Sequence, residues 1–340
     1  MTNNRQSIKK ATISDVAKLA KTGKTSVSRY LNGEFGILSA TLKERIEQAI
    51  KELNYRPNQM ARSLKKGQTK LIALILADIT NPYSVEVMKG LEAACQDNGY
   101  TLLVCNINKE KAKEKYFLQL LMDYNVDGVI IHALRTQDSI LRDLPFPVVL
   151  VDRRMSDLGY DIVGLDNIQA TTLASNYLID SGFEAIIFIT ESLTGVGTRQ
   201  ERVNTFKKIV KQQKGIVGEV VEIEDMNQQT ELLDQHIVSF CQKCRGMRKA
   251  IVTVNGSVTL HVSLALKRLN IIWGKDIGLL SFDDPVWASV AGVGITTLRQ
   301  PTYKIGYSSF EMLHRRMQGD HSEAKEYLYP GELIIRDSTN

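Results

Sequence analysis

Over the first fifty or so residues, apolar positions recur every three to four residues, the spacing of amphipathic helices. Ile13, Val16, Ala17 and Ala20 form one stripe, with Thr12 ahead of it and Asp15 placed to complete a capping box. Val27, Tyr30 and Leu31 form a second stripe that begins near Lys24 and stops at Gly33, and Leu42, Ile46, Ile50 and Leu53 form a third. Three short helices of this kind predict a small all-α unit closed around one core. From Lys70 the pattern changes. Short apolar runs ("LIALILA", "YTLLVCNI", "VDGVIIHAL", "PVVLVD", "AIIFIT", "GEVVEI", "KAIVTVN", "IGLLSFDD") alternate with longer amphipathic stretches. That alternation predicts parallel sheets with helices on both faces, and the remaining length suits two such halves. Ligands of open α/β sheets bind beyond the carboxyl ends of the strands, which makes polar residues there site candidates. They are Asp78 with Tyr83 after it, Asp152, Asn255, and Asp283 with Asp284. A strand-end carboxylate is as often a helix cap, but together these outline a cleft able to bind hydroxyls. Trp287, four residues past Asp283, could stack on a sugar face.

Charge sharpens the picture. Residues 1–66 carry 14 Lys and Arg against 5 Asp and Glu, whereas the remainder carries 29 against 33. A head of +9 on a body of −4 points to a polyanionic partner for the head. A disordered basic tail would not show the apolar stripes. With Val27, Tyr30 and Leu31 turned inward, Lys24, Thr25, Ser28 and Arg29 face outward on the second helix. A major groove admits one α-helix, where Arg29 can fork to guanine O6 and N7 while Ser28 and Asn32 suit phosphate oxygens. Next, "NYRPNQMARSLKKG" places Pro57 where a helix can start, with Met60 and Leu64 four apart among Arg56, Arg62, Lys65 and Lys66. An apolar wedge among bases suits a kinked minor groove. A plain basic linker is the other reading of this stretch.

The stretches "TISDVAKLA", "TSVSRYLNG" and "LNYRPNQMARSLKKG" resemble the LacI/GalR family of bacterial transcription regulators, and the resemblance covers essentially the whole chain. It implies a helix-turn-helix DNA-binding head (1–57), a hinge helix (58–67) and an effector-binding and dimerisation core (68–340). The core would be an α/β, periplasmic-binding-protein-like pair of doubly wound parallel-sheet subdomains, roughly 70–164 with 299–329 and 165–298 with 330–340. The resemblance puts Lys24, Thr25 and Arg29 at base-reading positions and Leu64 at the wedge. The DNA-contacting set is then Thr12, Lys24, Thr25, Ser28, Arg29 and Asn32, joined by Asn58, Gln59, Ala61, Arg62 and Leu64 from the hinge. Arg202, Asn255 and Asp283 match the family's ligand positions, and Asp78 and Asp152 match first-half positions lining the cleft. With Tyr83, Thr198 and Trp287 they complete the effector-binding set. The chain departs from the family in three places. Lys21-Thr22-Gly23 stands where Gly-Val-Ser is usual in the turn, Asn255-Gly256 replaces Asn-Asp, and Thr205 replaces a small residue, normally glycine.

These features predict a sequence-specific DNA-binding regulator, a repressor of carbohydrate or sugar-acid genes. A homodimer would read a near-palindromic double-stranded operator under control of a small-molecule effector, a sugar or sugar acid. Arg202 with nearby Arg199 leans toward an acid, although Arg199 reads equally well as a solvated helix residue. The alternative is a soluble sugar-binding receptor or carbohydrate-active enzyme that carries a DNA-binding head. Against an enzyme, "GVGTRQ" lacks the third glycine of a dinucleotide fingerprint, and the five histidines (132, 236, 261, 314 and 321) show no metal-ligand spacing. No cofactor or metal is expected. Cys95 and Cys105 read as core residues, and Cys241-x-x-Cys244 lacks a second pair to complete a metal site. The apolar runs fall short of a membrane span and no secretory leader is apparent, which sets the expected location in the cytoplasm.

Overall fold

A computed structural model describes residues 11–56, 67–108, 110–132, 141, 144–153 and 159–340. The chain divides into two compact units, Met1–Thr69 and Lys70–Asn340. The expected hinge residues Asn58, Gln59, Ala61, Arg62 and Leu64 lie outside the described residues.

In the first unit, α1 (Ile13–Leu19), α2 (Lys24–Leu31) and α3 (Ala40–Glu52) enclose Val16, Ala17, Ala20, Val27, Ile46 and Ala49, with the other predicted stripe residues packed around them. Thr12 and Asp15 form the expected capping box: the Thr12 amide donates to Asp15 Oδ2 at 2.8 Å and the Asp15 amide to Thr12 Oγ1 at 3.4 Å. The turn into α2 shows why its sequence is unusual. Lys21 lies in the left-handed region at φ 49°, where the family's glycine is free of strain, and Gly23 caps α2 without any side-chain bond.

The second unit contains two sheets with the same plan. The first combines β1 (Leu71–Leu76), β2 (Thr101–Asn106), β3 (Gly128–Ile131), β4 (Val148–Val151), β5 (Asp161–Leu165) and the late β11 (Glu326–Tyr329), in the order β11-β5-β4-β3-β1-β2. Between them run α4 (Pro82–Asp97) and α5 (Lys111–Asp123). The second combines β6 (Ala185–Glu191), β7 (Val217–Ile223), β8 (Lys249–Thr253), β9 (Gly278–Phe282), β10 (Thr296–Arg299) and β12 (Glu332–Ile334), in the order β12-β10-β9-β8-β6-β7. Its helices are α6 (Asn167–Asp180), α7 (Gly197–Gln212), α8 (Thr230–Lys243) and α9 (Gly256–Arg268). All pairings between these strands are parallel except β10 with β12, and the central strands β1, β3, β4, β6, β8 and β9 are buried almost throughout, which explains their unbroken apolar runs.

The chain passes between the halves three times: after β5, after β10, and between β11 and β12. The last helix, α10 (Thr302–Met317), thereby returns to the first half and packs on α4. Glycines set that contact, since a Cβ on Gly306 would lie 2.0 Å from the Val87 carbonyl oxygen and one on Gly90 2.0 Å from that of Tyr303. Four strands escaped the apolar-run reading. β5, β10, β11 and β12 are short and begin or end on charged residues, and β11 is an exposed edge. Asp161 can open a buried strand because Arg316 grips both its oxygens at 2.6 and 2.8 Å. Cys95 and Cys105 are core residues as expected, and Cys241 and Cys244 are free thiols.

Replacing Lys21 with glycine is expected to stabilise the head by about 0.5–1 kcal/mol, the relief of left-handed strain less the greater entropy of unfolded glycine. Hydrogen exchange of the α1 and α2 amides in the full chain measures it. Unchanged or weaker protection would show that the turn is not strained.

Candidate functional site

On the head, α2 presents Lys24, Thr25 and Arg29 as exposed side chains, with Asn32 exposed at its end and Ser28 half-buried. Lys24 and Arg29 make no ion pair among the described residues, which leaves both cations available to an external anion. Thr12 is exposed beside them in sequence but is engaged as the cap of α1. This outward face is a candidate groove-reading surface.

In the core, a cavity of about 320 Å³ opens between the carboxyl ends of the two sheets, at the lower end of the roughly 300–1,000 Å³ common for small-molecule sites. All eight residues expected to bind effector line it: Asp78, Tyr83, Asp152, Thr198, Arg202, Asn255, Asp283 and Trp287. They come from both halves. Arg199 also lines the cavity and is mostly buried, paired with Glu191 and donating to the Ser192 carbonyl at 2.9 Å. The solvated reading of Arg199 is thus set aside. Asp284 faces elsewhere and ties the chain end to β10 through Arg299 at 2.7 Å and Arg336 at 2.9 Å.

Each lining group is either satisfied by protein or left for something else. Asn255 caps α9, accepting from the Val258 amide at 2.9 Å, and its amide donates to Glu191 at 2.8 Å. Asp78 accepts from the Thr80 amide and hydroxyl at 2.9 and 2.6 Å. Asp283 accepts from the Gly256 amide at 2.9 Å and from Gln300 at 2.5 Å. Gly256, standing where the family has aspartate, thus contributes a backbone donor that fixes Asp283. Arg202, 5% exposed, is held by neutral acceptors, Asn167 Oδ1 and the Val254 carbonyl, each at 2.7 Å, with its guanidinium 4.4 Å over the Phe282 ring. It has no ion pair among the described residues.

Other atoms are buried with no partner among the described residues: Tyr83 Oη, Ser84 Oγ, Asp152 Oδ1, Gln300 Oε1 and both ring nitrogens of His132. Ser84, His132, Arg153, Glu191 and Gln300 line the cavity although they were not among the predicted residues. His132 and Glu191 obey the same strand-end rule as the others, so the signal for them was present. Gln300 follows β10, which had no apolar run to announce it.

Burial sets the protonation states. It pushes the Tyr83 hydroxyl well above its ordinary value, aided by Asp152 and Asp283, and pushes His132 below its own. Burial also raises Asp283, against the pull of Arg202, the Gly256 amide and Gln300. At Asp152 burial works in the same direction, but His132, Arg202 and Arg153 outweigh it and hold the carboxyl below the ordinary range. Near neutral pH the cavity therefore offers a neutral imidazole, a neutral phenol, an ionised Asp152 and arginines, a set suited to a hydroxylated ligand that carries a negative charge.

An unpartnered buried hydroxyl does not help the empty protein. Tyr83→Phe is expected to leave the ligand-free protein at least as stable, with a gain of up to about 1 kcal/mol, measured by denaturant titration. A loss above about 1 kcal/mol would show that the hydroxyl serves the fold.

Comparison with known proteins agrees with this division of labour. Residues 12–58 match bacterial regulatory proteins of the lacI family, and residues 175–339 match a periplasmic binding protein-like domain. The chain is 40% identical over 333 residues to the HTH-type transcriptional regulator PtxS of Pseudomonas aeruginosa, covering 97% of this chain and 96% of that one. It is 33% identical over 331 residues to the HTH-type transcriptional regulator KdgR of Bacillus subtilis, covering 96% and 97%. Among solved structures, the Lac repressor dimer bound to operator and the anti-inducer ONPF matches with a TM-score of 0.84 at 21% identity, over 97% of this chain and 99% of that one. No helix among the described residues is long and apolar enough to cross a membrane. The relatives span the chain nearly end to end and share its head, and the chain belongs to the lacI family of bacterial regulatory proteins as a DNA-binding transcriptional regulator.

Proposed function

We propose that this regulator is a cytoplasmic repressor that binds a near-palindromic operator as a homodimer, and that a sugar or sugar acid in the core cavity sets its grip on DNA. One observation carries the effector assignment: buried polar atoms of Tyr83, Asp152, His132 and Gln300, without partners among the described residues, converge on a single cavity between the two halves. A polyol satisfies such a set because each hydroxyl both donates and accepts. A carboxylate on the same ligand supplies the anion that buried Arg202 lacks. Genes of carbohydrate or sugar-acid use are the fitting targets for such a repressor.

The dimer surface is proposed beside the cavity. Leu260 lines the cavity and is also half-exposed; Leu264, one turn further along α9, and Val286 and Val290 on either side of Trp287 are exposed apolar side chains. Effector contact with Leu260 and Trp287 thus reaches the surface on which a second copy would sit. Two heads then read two half-sites through Arg29, Lys24 and Thr25, with Ser28, Asn32 and Thr12 nearer the phosphates. Segment 58–67, with Asn58, Gln59, Ala61, Arg62 and Leu64, is proposed as the hinge that carries the change to DNA.

The two functions are expected to separate by mutation. Arg29→Ala weakens operator binding by about 1–3 kcal/mol and relaxes base preference at its position, with effector binding unchanged. Arg202→Lys keeps the charge but loses the fork, raising the effector dissociation constant about tenfold to hundredfold while operator affinity without effector stays within about twofold. Fluorescence anisotropy on labelled operator, titrated with sugars and sugar acids, reads both. A variant Arg202→Lys that responds to effector as the wild type does would contradict the assigned cavity.

A further inference from the structure

His132 is the cavity's most under-used side chain. It directly follows β3, its backbone amide donates to the Ile75 carbonyl at 2.9 Å, and its ring is 5% exposed. Neither ring nitrogen has a hydrogen-bond partner among the described residues. Nε2 stands 3.7 Å from Asp152 Oδ2, beyond hydrogen-bond length, and the Tyr83 ring is centred 5.7 Å away. Asp152 Oδ1 is itself without a partner among the described residues. A buried donor–acceptor ring and a buried acceptor-only carboxylate thus flank one corner of the cavity, each with capacity unspent. One hydroxyl fits both, donating to Asp152 and accepting from a ring N–H. A ligand carboxylate does not fit this corner, because Asp152 repels it.

We propose that His132 and Asp152 together read one effector hydroxyl, and that a proton taken up by the His132 ring competes with the effector for this pair. The inference rests on the cavity being the effector site. A charged ring needs only a small movement to close the 3.7 Å gap into an ion pair with Asp152. That pairing turns the Nε2–H onto Asp152 Oδ2 and so takes the ring's donor away from the hydroxyl. The other charged and titratable groups lining the cavity with the ring are Arg153 beside Asp152, Arg199 and Arg202 on α7, Glu191 at the end of β6, Tyr83 on α4, Asp78 beyond β1 and Asp283 beyond β9. Burial, Arg153 and Arg199 favour the neutral ring, while Asp152 alone favours the charged one. Effector binding is therefore stronger near neutral pH than in acid. It weakens once the medium falls below the ring's pKa, approaching about tenfold per pH unit. By reciprocity, bound effector holds the ring neutral to lower pH.

The test is calorimetric titration of the full chain with D-gluconate, D-galacturonate, D-glucose and D-ribose at about pH 7.5 and pH 5.0, on wild type and His132→Asn. Asparagine keeps a donor and an acceptor but takes up no proton. At least one probe is expected to bind the wild type at the higher pH, with its dissociation constant rising at the lower. The His132→Asn constant should change less than about twofold between the two. NMR of the labelled His132 ring in the wild type gives a second readout that does not depend on the variant folding, with protonation displaced to lower pH when probe is bound. A wild-type constant that ignores pH overturns the proposal. So does a pH loss retained in His132→Asn, which assigns the proton to another group such as Asp283, or a ring that titrates identically with and without bound probe. Failure of every probe to bind at either pH removes the sugar and sugar-acid reading of the cavity, and this inference with it.

Discussion

Two aspartates hold left-handed backbone at equivalent places in the two halves of the core, Asp152 at φ 67° after β4 and Asp283 at φ 70° after β9. Each of those strands is third from the same edge of its sheet, and the cleft is arranged around the two turns. Non-glycine residues in this region cost on the order of 1 kcal/mol or more, and aspartate is among the few that tolerate it. The neighbouring strand accommodates the first turn, since a Cβ on Gly164 would lie 3.1 Å from the Asp152 Cα. Turning the chain there aims both carboxylates into the gap between the sheets rather than leaving them as helix caps. Gln300, on the second passage of the chain between the halves, lines the same gap and is bonded directly to Asp283.

The two turns are finished differently. Asp283 has both oxygens bonded by protein, and a buried hydroxyl chain joins Thr253 and Thr259 to Ser281, two residues before it. Asp152, Tyr83 and His132, all from the first half, retain unspent capacity. The second half thus supplies a fixed, pre-bonded wall and the first supplies groups that gain partners only when the cavity is filled. Interactions absent without ligand and present with it are what allow a ligand to shift an equilibrium between arrangements of the two halves.

Much of this was legible in the sequence because it depends on periodicity. The helix stripes of the head, the Thr12–Asp15 cap and the eight strands marked by apolar runs all follow from local pattern. Asp78, Asp152, Asn255 and Asp283 followed from the rule that sites lie beyond strand ends, and all four line the cavity. What escaped depends on pairing across long separations. β5 is buried although it begins with Asp161, because Arg316, 155 residues later, neutralises that carboxylate. β11 and β12 are strands only because distant partners receive them. His132 looked like an isolated histidine until the fold set it beside Asp152. The unusual Lys21 was visible as a departure, and the structure assigns it the left-handed turn expected of glycine.

Binding in the core and binding on DNA must share one free energy if the cavity is where this regulator is controlled. An effector that changes operator affinity by some factor must show its own affinity changed by that factor when operator is bound. The direct test is calorimetric titration of the same effector into free protein and into the protein–operator complex, beside an operator titration with and without effector. The account predicts two equal factors in the same direction. An effector that alters operator affinity yet binds free protein and complex equally would contradict it.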